Sequence, residues 1–145
     1  MKIIMLAGNS GTGKTTTLKK VYDRLSNNIK PIYYQEFKHK PTKDIVCYPL
    51  YHLDKKVALC TVGDEWDYFK DTIIKFNCIG ADVLIIAFSE DSDDKKTDLE
   101  LFKPDNLKDI QPHCVIQKRV TGNPNALPTD AENNEKDCQA IIDRI

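Results

Sequence analysis

The chain contains no Cys-x-x-C pair, no Cys/His group at zinc-ligand spacing, and no apolar run approaching a membrane span. These absences argue against a zinc module, a dithiol redox centre and a membrane-spanning helix. Arginine is scarce, with only Arg24, Arg119 and Arg144 in 145 residues. Neither charge sign dominates: Lys+Arg 21 against Asp+Glu 22 leaves a formal net charge of -1. Such a balance gives no global pull toward nucleic acid or an anionic bilayer. The five cysteines, Cys47, Cys60, Cys78, Cys114 and Cys138, are odd in number and scattered, as structural thiols in a reducing cytoplasm would be. His39, His52 and His113 have no partner spacing and read as surface or structural residues. The opening Met1-Lys2-Ile3-Ile4-Met5-Leu6-Ala7 looks superficially like a secretion signal, but its short apolar run meets Gly8 directly, so it reads as a buried strand.

What the chain does have is the composition of one globular domain over residues 1–145, 41% hydrophobic and 30% charged. Helical spacing follows Lys14, with Leu18, Val21, Tyr22 and Leu25 at i, i+3, i+4 and i+7. Ile32-Tyr33-Tyr34 is a candidate strand, followed by a basic loop with Lys38, His39, Lys40 and Lys43 that reads as solvated. Ile45 to Tyr51 and Val57 to Val62 read as a hairpin joined by residues 52–56, with Pro49 placing the first strand at a sheet edge. A second helix is expected from about Trp66 to Cys78, then a doubly buried strand from Val83 to Phe88. The acidic stretch Ser89 to Asp98 reads as a loop, and Leu99 to Leu107 as a helical turn broken at Pro104. Val115-Ile116-Gln117 forms the core of a last strand, Thr121 to Pro128 a loop, and a terminal helix is capped by Asp130. Alternating strands and helices predict a three-layer α/β/α fold with a mainly parallel sheet of about five strands, its ligand at the strands' carboxyl ends.

The chemistry concentrates in Gly8-Asn9-Ser10-Gly11-Thr12-Gly13-Lys14-Thr15, a match to G-x-x-x-x-G-K-[ST] placed between a strand and a helix. Average residue usage yields this pattern by accident about once in 200 chains of this length. Its glycines let the backbone approach an anion closely, and successive N–H groups with the helix dipole form an anion nest. Lys14 offers an ammonium for the β- and γ-phosphates and the Thr15 hydroxyl an oxygen ligand for Mg²⁺, and in comparable loops the residue at the place of Thr16 points near the base-proximal phosphate.

On these eight residues and the strand–loop–helix order, the chain resembles the P-loop NTPase superfamily. The resemblance implies a nucleoside triphosphate with Mg²⁺ as cofactor. It also implies a carboxylate ending a second buried strand, and Asp64 and Glu65 after Val57 to Gly63 fit that place: Asp64 organising the metal, Glu65 polarising the attacking water. The same residues also suit an ordinary helix N-terminus. Ser89, Glu90 and Asp91, after the next strand, form a second such group. The D-x-x-G and N-K-x-D motifs of regulatory GTPases are absent, which favours ATP over GTP. The late strand instead ends Ile116-Gln117-Lys118-Arg119-Val120. Arg119 falls near the expected place of the base or phosphates, Lys118 or Arg119 suits stacking on adenine, and the position equally suits an ordinary surface arginine. Few arginines and an acidic lid region do not suit a nucleotide kinase. The expected function is therefore ATP hydrolysis or γ-phosphoryl transfer to an unidentified acceptor. The alternatives are a nucleotide-responsive interaction module served by a protein partner, or a GTPase with non-standard base recognition. No membrane or nucleic-acid partner is indicated.

Overall fold

In a computed structural model of the chain, residues 1–26, 30–37, 43–63, 66–90, 112–120 and 130–145 are described, apart from the side chains of 66, 67, 112 and 113. Strand β1 (Lys2–Gly8) leads through the glycine loop into α1 (Lys14–Ser26). Strands β2 (Tyr33–Phe37), β3 (Asp44–His52) and β4 (Lys55–Cys60) follow, then α2 (Trp66–Cys78), β5 (Val83–Ser89), β6 (Pro112–Gln117) and α3 (Ala131–Ile142). The six strands form one sheet in the order β2-β3-β4-β5-β1-β6.

This arrangement corrects the expected three-layer fold with a mainly parallel sheet of about five strands. The sheet has six strands and is mixed. Pairing is parallel in β4-β5, β5-β1 and β1-β6, but antiparallel in β2-β3 and β3-β4. The cause is local, because a two-residue turn reverses the chain between β3 and β4. Leu53 and Asp54 adopt φ of 45° and 65°, the signs of a type I′ hairpin. The expected five-residue connection is thus shorter. Pro49 also departs from expectation, since β3 lies between β2 and β4 rather than at an edge. A register shift between Cys47 and Leu50 accommodates the residue that cannot donate to the ladder.

The side-chain periodicities place the helices. Leu18, Val21 and Leu25 of α1 and Cys138 and Ile141 of α3 are buried together against Ile4, Leu6, Leu59 and Ile85 of the sheet. Phe69, Ile73 and Phe76 of α2 are buried on the other set of sheet residues, Ile3, Met5, Ala58, Leu84 and Ile86. Alternate residues of β1 and β5 divide between the two clusters, which is why both strands are apolar throughout. Each Val, Leu, Ile, Phe or Met side chain among them, fully buried, contributes about 1.5–3 kcal/mol. Ile145 also joins the cluster under α1 and α3. No helix among the described residues is long and apolar enough to cross a membrane.

The pairing directions set one edge of the sheet apart. The carboxyl ends of β4, β5, β1 and β6 meet there, and because β3 runs the other way, its first residue joins them. Asp44, Thr61, Ser89, Gly8 and Gln117 therefore share that edge.

Candidate functional site: the glycine loop and the carboxyl edge

Gly8 ends β1 and Lys14 begins α1, so the loop spans residues 9–13. Gly11 and Gly13 hold φ of 74° and 90°, left-handed values that a side chain disfavours. Thr12 closes the loop on itself, its N–H and its Oγ1 both donating to the Asn9 carbonyl, at 3.4 Å and 2.8 Å. Asn9, Ser10 and Gly11 are exposed. Lys14 is 7% exposed, and its Nζ donates to the Gly8 and Asn9 carbonyls, each at 2.7 Å. A cationic amine thus lies against the loop from which its own helix starts. Thr16 is partly buried, and Thr17 is fully buried with its hydroxyl on Asn134 of α3 at 3.0 Å.

The Thr15 hydroxyl donates to Asp44 Oδ1 at 3.1 Å. That same oxygen accepts from the Thr61 hydroxyl at 2.8 Å, and Thr61 Oγ1 in turn accepts from the Ile45 N–H at 2.9 Å. Sequence reasoning missed Asp44, because the strand was expected to begin one residue later. The hairpin itself held the signal: folding β3 back on β4 about residues 53–54 brings Asp44 to the end of β4, beside Thr61.

Asp64 and Glu65 lie outside the described residues, as does Asp91. Their predecessor Gly63 sits at the carboxyl edge, pressed so closely on β5 that a Cβ there would meet the Ala87 carbonyl carbon and oxygen at 2.7 Å. The strand directly beside β1 is not β4, however, but β5. Its end, Ser89, pairs with Gly8 and donates its N–H to the Gly63 carbonyl at 3.0 Å. The Glu90 N–H donates to the Gly8 carbonyl at 3.2 Å, and its carboxylate accepts from Gln117 Nε2 at 3.0 Å. Of the two expected acidic groups, Glu90 is therefore the member seen next to the loop.

On the other side of β1, Lys118 extends the β6 pairing through its N–H to the Ala7 carbonyl at 2.8 Å. Its stem crosses Gly8, where an added Cβ would lie 3.0 Å from Lys118 Cβ. The ammonium meets Asp137 of α3 at 2.9 Å, with both side chains fully buried. Arg119 is held by the same carboxylate through its backbone N–H at 3.0 Å and its guanidinium, while its side chain is 49% exposed. Asn134 and Asp137, one turn apart on α3, thus fasten α1 and the end of β6 on either flank of the loop. Neither residue was singled out by sequence reasoning, since polar residues on a terminal helix look like its solvated face.

The other two arginines lie in α1 and beyond α3. Arg24 pairs with Glu135 and donates to Gln139 at 2.9 Å, and Arg144 donates to the Ala140 carbonyl at 2.7 Å. Among the described residues no group of three or more His, Cys, Asp or Glu is placed to hold a metal. Burial pushes the Cys47 and Cys60 thiols up to about 12, so both are inert core groups at neutral pH.

The chain matches no protein-family model, no curated protein and no solved structure.

Proposed function

We propose that the chain binds a nucleoside triphosphate with Mg²⁺, ATP in preference to GTP, at the loop Gly8 to Thr15. In this it resembles the P-loop NTPases, and it hydrolyses the nucleotide or transfers its γ-phosphoryl group. The observation that carries this reading is the Lys14 ammonium, buried against the carbonyls of the glycine loop between β1 and α1. An amine held there exchanges carbonyl oxygens for phosphate oxygens over a short distance, and charge-assisted bonds to phosphate are the stronger. Backbone N–H groups of residues 10–15 and the α1 dipole add to the anion's binding.

The Thr15 oxygen, whose proton is taken up by Asp44, suits a hard cation that takes its remaining ligands from phosphate and water. Bound Mg²⁺ supplies neutralisation of the developing phosphate charge. Lys14 holds the β- and γ-phosphates, Thr15 holds the metal, and Asp64 and Glu65 remain the proposed metal-organising carboxylate and base. Arg119, braced by Asp137, has a half-exposed side chain on which a base would stack.

A second reading is favoured by the arginines. All three are bound to partners on or around α3, and on this reading an arginine for the transition state is supplied by a protein partner. On that reading the chain is a nucleotide-responsive interaction module with slow turnover. Single-turnover assays with γ-labelled ATP, alone and with cell extract, separate the two. Labelled orthophosphate or a labelled acceptor from the chain alone supports the enzyme, and release only with extract supports the module. Lys14→Ala is expected to lower ATP affinity about 30-fold or more, measured by equilibrium dialysis. Unchanged affinity in that variant contradicts both.

A further inference from the structure

We infer that Asp44 is the positioning carboxylate of the metal subsite, acting through the hydroxyl of Thr15; this rests on the nucleotide reading above. A threonine hydroxyl has one proton and two lone pairs, and its usefulness to a cation depends on where the proton points. Here the proton is directed to Asp44 Oδ1 at 3.1 Å, which leaves the oxygen's lone pairs to face away from β3. Asp44 is itself fixed. Its Oδ1 takes a second hydroxyl bond from Thr61 at 2.8 Å, and Thr61 is 3% exposed, with its oxygen anchored by the Ile45 N–H. Among the described residues the carboxylate's hydrogen bonds converge on this one oxygen. A ligand hydroxyl oriented by a fixed carboxylate is the arrangement by which protein metal sites gain affinity and ligand basicity.

The antiparallel strand makes this possible. A parallel β3 would place Asp44 at the opposite edge of the sheet, away from α1. The reversal at Leu53-Asp54 instead returns it to the carboxyl end of β4, across from Thr61 and within reach of the first turn of α1.

The sign of the charge gives a test that a purely structural role fails. A carboxylate near a triphosphate repels it without metal and favours it with metal. Asp44→Asn retains an oxygen for both hydroxyls but removes the charge. Calorimetric titration of the full chain with ATP, once with Mg²⁺ and once with EDTA, reads the two effects separately. The expected result is a loss of the Mg²⁺-dependent gain in affinity by about 10- to 100-fold, with EDTA affinity unchanged or higher. Equal weakening in both conditions, or a retained Mg²⁺ gain, overturns the inference while leaving the nucleotide reading intact. Absence of ATP binding by the unaltered chain in either condition overturns the nucleotide reading itself. Where Asp44→Asn does not fold, Asp44→Ser, which also removes the charge, is read in the same titration with the same two outcomes.

Discussion

Gly63 shows how much one residue can decide at this edge. Any side chain there meets the β5 backbone, so Gly63→Ala is expected to shift the end of β4 and cost about 1–3 kcal/mol, measured by urea unfolding. The buried Lys118–Asp137 pair is a second sensitive point. Asp137→Ala leaves a buried ammonium without its counter-charge and is expected to cost about 3–5 kcal/mol. Lys118→Met is milder, because Arg119 still covers the carboxylate; equal losses from the two would show that Arg119 contributes nothing. At this scale the sequence is legible where spacing is local. Gly8 through Thr15 form a contiguous pattern, so the loop could be read directly. Asp44, Asn134 and Asp137 act across 29, 117 and 19 residues respectively, on Thr15, Thr17 and Lys118, and no local spacing announces them. Arg119 was expected beside the nucleotide and is held through Asp137, which a linear reading does not reveal.

The β3–β4 hairpin is the element on which the rest of the edge depends. Leu53 is 79% exposed at φ 45°, a backbone conformation that costs a branched side chain about 1–2 kcal/mol. Replacing Leu53-Asp54 by Asn-Gly, the pair that suits a type I′ turn, is expected to raise stability by about 1 kcal/mol in thermal unfolding. No gain, or a loss, would mean that the turn residues are held by something other than their backbone angles. The helices were readable because their apolar residues recur at 3.6-residue spacing, and α3 begins where Asp130 accepts from the Asn133 N–H at 3.0 Å. The position of β3 was not readable. Pro49 argued for an edge, but the register shift beside it lets an interior strand carry a proline. The helical turn expected at Leu99 to Leu107 and the loop at Thr121 to Pro128 lie outside the described residues.

Across the described residues, the mixed sheet separates two apolar clusters and brings Asp44, Thr61, Ser89, Gly8 and Gln117 to one edge. Periodicity announced the two covered faces, but strand direction depends on turns and on pairings distant in sequence, which is why the parallel expectation failed at the β2-β3-β4 end. The clusters carry a pH signature. Cys47 and Cys60 are held protonated by burial up to about 12, whereas an unfolded thiol ionises near 8.5. Below that lower value the two states bind equal protons and the thiols have no effect. Between it and about 12 the unfolded state binds fewer protons, so stability falls as pH rises, by up to about 1.4 kcal/mol per pH unit for each thiol. Substituting Cys47 and Cys60 by Ala should flatten that slope in alkaline urea titrations, and an unchanged slope would assign it to other groups. The claim that the loop holds a nucleoside triphosphate is tested most directly by thermal unfolding with saturating ATP or GTP, with and without Mg²⁺, beside Lys14→Ala. Binding to the native state alone adds about 2.7 kcal/mol at one hundred times Kd. A Mg²⁺-dependent rise in Tm, larger with ATP and lost in Lys14→Ala, is the expected result; no shift with either nucleotide, or a shift that survives the substitution, would contradict it.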